Sequence, residues 1–96
     1  MDISGYKIRP SKHFMLTWMR KWDYDIHSLK NVLENAYKVE KVGKNKYESY
    51  TRSKGKSRKV IFVKDEEYKE IFIITGTEGK WNKENVQYVK KEVLLK

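Results

Sequence analysis

His13 and Arg20 stand seven residues apart in a segment whose apolar residues repeat at helical spacing. On an α-helix they share one face with Thr17, and the two positions lie about 10 Å apart along the helix axis. The positive end of the helix and the nearby guanidinium both disfavour a charged imidazole, so we expect His13 to be neutral and able to accept a proton. Arg20 could then hold a phosphate in the transition state. In the alternative interpretation, His13 caps the helix or packs against the preceding strand.

Most of the excess positive charge lies in residues 41–60, which hold eight basic side chains and one acidic side chain. A local field of this sign attracts polyanions, and the interleaved tyrosines could stack on bases. The alternative is a solvated basic surface on a thermally robust protein, which the charged fraction of 36% would also suit. The pattern predicts an RNA-binding or DNA-binding surface made by Tyr47, Tyr50, Arg52, Lys54, Lys56, Arg58 and Lys59.

These residue types match one kind of chemistry, the cleavage of RNA without a metal ion. That reaction needs a base for the 2′-hydroxyl, cations for the charged phosphorane and an acid for the leaving 5′-oxygen. Arginine and lysine can stabilise the phosphorane, and histidine, tyrosine or lysine can transfer the protons. A protein that only binds nucleic acid would show the same composition, so this alternative stays open.

The sequence lacks the residues that metal sites and phosphate-binding loops require. The chain has no cysteine and only two histidines, of which His27 is interpreted as a surface residue, so we expect no metal site. The segment from Gly76 to Lys80 lacks the spacing of a phosphate-binding loop and is interpreted as a connection between a strand and a helix. We therefore expect no cofactor.

Two helices are predicted near the N-terminus. The first covers Lys12–Trp22 after Ser11 as its N-cap, and the second covers Ile26–Ala36 after Asp25. The apolar face of the first helix is formed by Phe14, Met15, Trp18, Met19 and Trp22.

The remaining pattern changes to strand periodicity. A short strand is expected at Tyr6–Arg9, and a meander follows over Tyr37–Val42, Lys46–Arg52, Val60–Val63 and Ile71–Ile74, with a flexible turn at Ser53–Ser57. The last two strands are continuous apolar runs, which predicts that they are covered on both faces. A final helix is expected from Asn82. The prediction is one α+β domain over residues 1–96, with two N-terminal helices on a four-stranded antiparallel meander sheet and a C-terminal helix.

Several short motifs resemble the RelE-like toxin superfamily, in particular its BrnT-like branch and a related uncharacterised family. The similarity covers roughly residues 6–76. Its motifs are the opening from Ile8 to His13, the later Arg20, and a strand that ends in Thr75. The second helix is also similar, through Ile26, Val32, Leu33 and Ala36.

The resemblance implies an α+β fold with two helices on a twisted antiparallel sheet. It also implies mRNA cleavage, with or without the ribosome, and neutralisation by a small antitoxin. The resulting hypothesis is a metal-independent endoribonuclease of a toxin–antitoxin system with His13 and Arg20 as catalytic residues, located in the cytoplasm and not bound to a membrane. The alternative hypothesis is a non-catalytic nucleic-acid-binding or protein-interaction module, from an archaeon or its mobile element.

Overall fold

The computed structural model describes residues 2–80, and the expected C-terminal helix from Asn82 lies outside them. One mixed sheet holds five strands in the order β1-β5-β4-β3-β2. The strands are β1 (Lys7–Pro10), β2 (Lys38–Lys41), β3 (Lys46–Ser53), β4 (Lys56–Asp65) and β5 (Glu70–Lys80).

The α+β class is confirmed, but the four-stranded antiparallel sheet is wrong. Strands β2 to β5 form the expected meander, and β1 adds a fifth strand that pairs in parallel with β5, with Ile8 opposite Ile71. Both of these side chains are buried. Because this register places Ile8 in the core, burial of the N-terminal strand stabilises a pairing between segments far apart in the sequence.

Both predicted helix starts are confirmed by their caps. The Ser11 hydroxyl accepts a hydrogen bond from the Phe14 N–H at 3.1 Å, and the Asp25 carboxylate accepts one from the Ser28 N–H at 2.7 Å. The second helix, α2, covers Ile26–Glu34 and ends before the predicted Ala36.

The first helix departs from the predicted geometry. It opens as α1 over Lys12–Phe14 and continues as a π-helical stretch over Met15–Met19, and the two parts together form the first helix. The wider π-turn changes the angle between successive side chains. Met15, expected on the apolar face, is 44% exposed, whereas Phe14 and Trp22 are buried as predicted. Trp18 and Met19 pack against the core.

The core lies on one face of the sheet. Along β4, Val60 and Phe62 are buried, and the alternating Ile61 and Val63 are only half-buried. Within residues 2–80 the helices pack on one side of this run, and its coverage on the other face stays a prediction. None of these helices is long and apolar enough to cross a bilayer.

The two connections around β4 also differ from expectation. Strands β3 and β4 meet at a tight two-residue turn, Lys54-Gly55, with φ angles of 50° and 78°. Such mirror-image turns match the twist of a hairpin, so the basic residues belong to rigid strands rather than to a flexible loop. Strand β5 continues to Lys80, so the segment from Gly76 to Lys80 is strand and not a connection.

Candidate nucleic-acid interface

The strands place the seven candidate nucleic-acid-binding residues on two faces and at one tip. Arg58 points to the side of the helices, where it contacts Trp22 and Tyr24. The next residue, Lys59, pairs with Glu48 on the opposite face, as expected for alternating side chains of a strand. The helix side thus holds Tyr47, Lys56 and Arg58; the open face holds Tyr50, Arg52 and Lys59; and Lys54 lies at the hairpin tip.

A carboxylate stands at the centre of the helix-side group. One oxygen of Glu78, Oε2, accepts hydrogen bonds from the Trp22 indole N–H at 2.9 Å and from the Arg58 Nε–H at 3.1 Å. The other oxygen, Oε1, accepts one from Lys56 Nζ at 3.3 Å and lies 3.9 Å from Lys21 Nζ. We call this group, with Tyr24, the Glu78 cluster; its members are Lys21, Trp22, Tyr24, Lys56, Arg58 and Glu78.

Aromatic rings fix the guanidinium of Arg58 inside this cluster. The Arg58 side chain is only 15% exposed, and its charged carbon lies 5.1 Å from the ring centre of Trp22 and 5.5 Å from that of Tyr24. The same guanidinium donates from Nη1 to the Tyr24 hydroxyl at 3.0 Å. Hydrogen bonds in two directions and contacts with two rings hold Arg58 in one orientation.

The electrostatics of the cluster leave an excess of positive charge. Burial of the Glu78 carboxylate raises its pKa, but hydrogen bonds from Lys56 and Arg58 and attraction to the Lys56 ammonium outweigh this effect, so the pKa is lowered. At neutral pH one carboxylate therefore faces three cations. The side chains of Lys21 and Lys56 are 61% and 58% exposed, so the excess charge reaches solvent.

His13 contacts β5, the strand that carries Glu78. Its Nε2 is 3.1 Å from the Thr75 hydroxyl, and its backbone carbonyl accepts a hydrogen bond from the Thr17 hydroxyl at 2.6 Å. Thr75 precedes Glu78 by three residues on β5. The first helix therefore follows β5 from His13 at its start to Lys21 and Trp22 just after its end.

Arg20 is exposed, and its side chain makes no hydrogen bond or ion pair within residues 2–80. His27, predicted as a surface residue, is also exposed. The structure therefore leaves two side chains exposed to solvent: His13 at the start of the first helix and Arg20 directly after its end.

The open face holds a second, separate group. The Tyr50 hydroxyl donates to Glu48 at 3.0 Å, and Lys59 Nζ lies 3.7 Å from the same carboxylate. Burial of Tyr50 and its contact with the Glu48 carboxylate raise the pKa of the phenol above its usual value, so this hydroxyl stays protonated. On the other face, Tyr47 stacks on Phe62 at 5.5 Å and is half-buried.

Sequence reasoning missed Lys21, Tyr24 and Glu78. Trp22 and Glu78 are separated by 56 residues, and no local motif joins them. If residues 76–80 are interpreted as a strand, Glu78 falls opposite Arg58. This cross-strand ion pair is the signal for Glu78 that was present in the sequence. The described residues hold no group of three or more His, Cys, Asp or Glu placed to bind a metal ion.

No protein-family model matches the sequence, and no curated protein matches it. Among solved structures, the chain is similar to the crystal structure of the isolated E. coli RelE toxin, with a TM-score of 0.53 and 16% sequence identity. The match covers 91% of this chain and 98% of that chain. The similarity shows a RelE-like fold, which the sequence motifs predicted.

Proposed function

We propose that this chain is the toxin of a toxin–antitoxin pair and cleaves RNA by acid–base chemistry without a bound metal ion. The RelE-like fold supports the toxin assignment. The observation that carries the proposal is the convergence of Lys21, Lys56 and Arg58 beside the strand that His13 contacts. A group of cations and a histidine that contact the same strand supply the two kinds of group that this reaction requires.

In the proposed reaction His13 is the general base. The neutral imidazole takes the proton of a 2′-hydroxyl, and the resulting oxygen attacks the adjacent phosphorus. The exposed guanidinium of Arg20 binds a phosphate oxygen and stabilises the phosphorane as its charge develops. The 5′-oxygen leaves with a proton from a neighbouring ammonium group, and the products are a 2′,3′-cyclic phosphate and a 5′-hydroxyl.

RNA binding is assigned to the basic hairpin of β3 and β4. Lys54 at the tip and Lys56 on the helix side lead from solvent to Arg58 in the Glu78 cluster, so a strand of RNA that crosses the tip would contact all three. The Tyr50, Arg52 and Lys59 group on the open face is a second strip for backbone contact. A base could stack on Tyr47 or Tyr50 at either face.

The antitoxin is proposed as an acidic protein segment that covers this basic surface. The formal net charge of +9 favours such a partner. On the first helix, Met15 and Leu16 are 44% and 59% exposed, which provides an apolar contact next to the basic residues.

A nuclease assay in the presence of EDTA, with and without ribosomes, tests the function. We expect cleavage, with 2′,3′-cyclic phosphate ends detected by mass spectrometry. The second candidate, a protein that binds nucleic acid without cleaving it, is favoured by the carboxylate partners already held by Arg58 and Lys59. Salt-dependent binding without any cleavage in either assay would establish this second function instead.

A further inference from the structure

We propose that the Glu78 cluster is a binding site for one phosphodiester group of RNA, and that the Glu78 carboxylate occupies this site in the free protein and gives way when RNA binds. The inference rests on the proposed function and adds to it a phosphate subsite and an internal competitor. Its evidence is the geometry, charge and position of the cluster.

The donors of the cluster are arranged for an anion with two oxygen atoms. Trp22 and Arg58 both donate to one oxygen of Glu78, and Lys56 donates to the other. Carboxylates and phosphates are bound by arginine and lysine in similar ways, because both present paired oxygens to N–H donors. A phosphodiester has two free oxygens and fits the same donors.

The two lysines converge closely enough to hold a single phosphate. Their ammonium nitrogens lie 3.3 Å and 3.9 Å from the same oxygen of Glu78, and these two distances limit their separation to about 7 Å. Lys21 follows the first helix and Lys56 begins β4, so the site bridges two elements. Both side chains are more than half exposed, which leaves donors open to a ligand that approaches from solvent.

The charge of the cluster favours exchange of one anion for another. Three cations face a single carboxylate, so the site remains positive while Glu78 occupies it. A phosphate that replaces the carboxylate takes over its hydrogen bonds, and no buried donor is left without an acceptor in the bound state. The released carboxylate gains full hydration, which offsets part of the free energy of the hydrogen bonds that it gives up.

The position of Glu78 allows this release without disruption of the sheet. Pairing between β1 and β5 ends at Pro10 and Ile73. Beyond that point, within residues 2–80, β5 has only β4 as a strand neighbour. Glu78 therefore lies on an outer strand, and its side chain can rotate towards solvent while the backbone pairing with β4 is kept.

A charge-matched pair of variants tests the proposal. Glu78→Gln removes the internal competitor, and Glu70→Gln removes one negative charge from the start of the same strand, where Glu70 pairs with Arg9 at 2.6 Å. The probe is a short single-stranded RNA that is fully 2′-O-methylated and cannot be cleaved, and binding is followed by anisotropy between about 50 and 200 mM salt. We expect Glu78→Gln to bind about tenfold more tightly with a salt slope close to that of the wild type, because the cluster contacts one phosphate in both proteins, and Glu70→Gln to resemble the wild type.

Equal changes in the two variants, or weaker binding by Glu78→Gln, would overturn the inference. A readout on the unmodified protein covers the case in which Glu78→Gln folds poorly. The indole N–H resonance of Trp22 should shift when the probe is added, because its acceptor changes from a carboxylate to a phosphate; an unchanged resonance in the RNA-bound protein would also contradict exchange.

The two proposals fail in different ways. A wild type that binds and cleaves RNA while both variants change equally keeps the proposed function and removes only the role of Glu78. A wild type that neither binds the probe nor cleaves RNA contradicts both proposals.

Discussion

Arg58 and Glu78 face each other across β4 and β5, and the Arg58 Nε–H donates to Glu78 Oε2 at 3.1 Å. The pair joins the most basic segment of the chain to the strand whose Thr75 contacts His13. Because of this pair, the cations of the hairpin are not equivalent: those on the helix side surround a carboxylate, and those on the open face do not share it.

We expect the helix-side lysines to contribute more to RNA binding than other lysines. The double variant Lys21→Gln/Lys56→Gln should reduce the slope of log affinity against log salt by about 0.7 for each phosphate that it no longer binds. The control Lys44→Gln/Lys46→Gln removes the same charge from exposed positions at the other end of β3. Equal slopes for the two double variants would place the phosphate-binding residues elsewhere.

Acid should destabilise the protein partly through Glu78. Its pKa is lowered in the folded state, so the carboxylate contributes stability above its ordinary pKa of 4.5 and loses this contribution as the pH falls through the folded value. Asp25 also has a lowered pKa, through its hydrogen bonds with Ser28. Urea unfolding between about pH 7 and pH 3 should therefore show a shallower pH dependence for Glu78→Gln than for the wild type, and parallel curves would exclude this role.

His13→Ala should reduce RNA cleavage by roughly 10²–10⁴-fold if the imidazole is the general base. Its melting temperature should change little, because the side chain is exposed and its one described side-chain partner is the Thr75 hydroxyl. His27→Ala, also at an exposed position, is the control. Full activity of His13→Ala with a lower melting temperature would assign His13 a structural role.

Arg20 should act on the transition state rather than on stability. Arg20→Ala should lower kcat/KM for RNA cleavage, and Arg20→Lys should restore only part of it, because an ammonium cannot bind two phosphate oxygens in the fork geometry of a guanidinium. Single-turnover kinetics measures the effect. Complete rescue by lysine would reduce the role of Arg20 to its charge.

Gly76 should tolerate no side chain. A Cβ at this position would lie 2.9 Å from the Trp22 ring, 3.0 Å from the Lys59 carbonyl oxygen and 3.2 Å from the Phe14 ring. We expect Gly76→Ala to lower the free energy of unfolding by about 1–3 kcal/mol through overpacking. At Gly79 no atom of residues 2–80, other than those of its chain neighbours, lies within 4 Å of an added Cβ, so Gly79→Ala should unfold like the wild type. Similar decreases in both variants would contradict the packing argument.

The sequence alone determined the features that depend on neighbouring residues. The caps at Ser11 and Asp25 require an acceptor side chain three residues before a free backbone N–H, so they can be recognised locally. The apolar repeats identified both helices and the β4 and β5 strands, and hence the α+β class. The seven basic and aromatic candidate residues could also be identified from the sequence, but their arrangement in space could not.

Tertiary structure decided how those residues are divided and what faces them. Strand alternation places Arg58 and Lys59 on opposite faces of the sheet. Because the helices pack on the face of Arg58, this residue belongs to the Glu78 cluster, and Lys59 does not. The addition of β1 to the sheet and the approach of Trp22 to Glu78 both depend on contacts between distant segments. Their free energy comes from burial and charge pairing that exist only once the chain has folded, so no local pattern in the sequence records them.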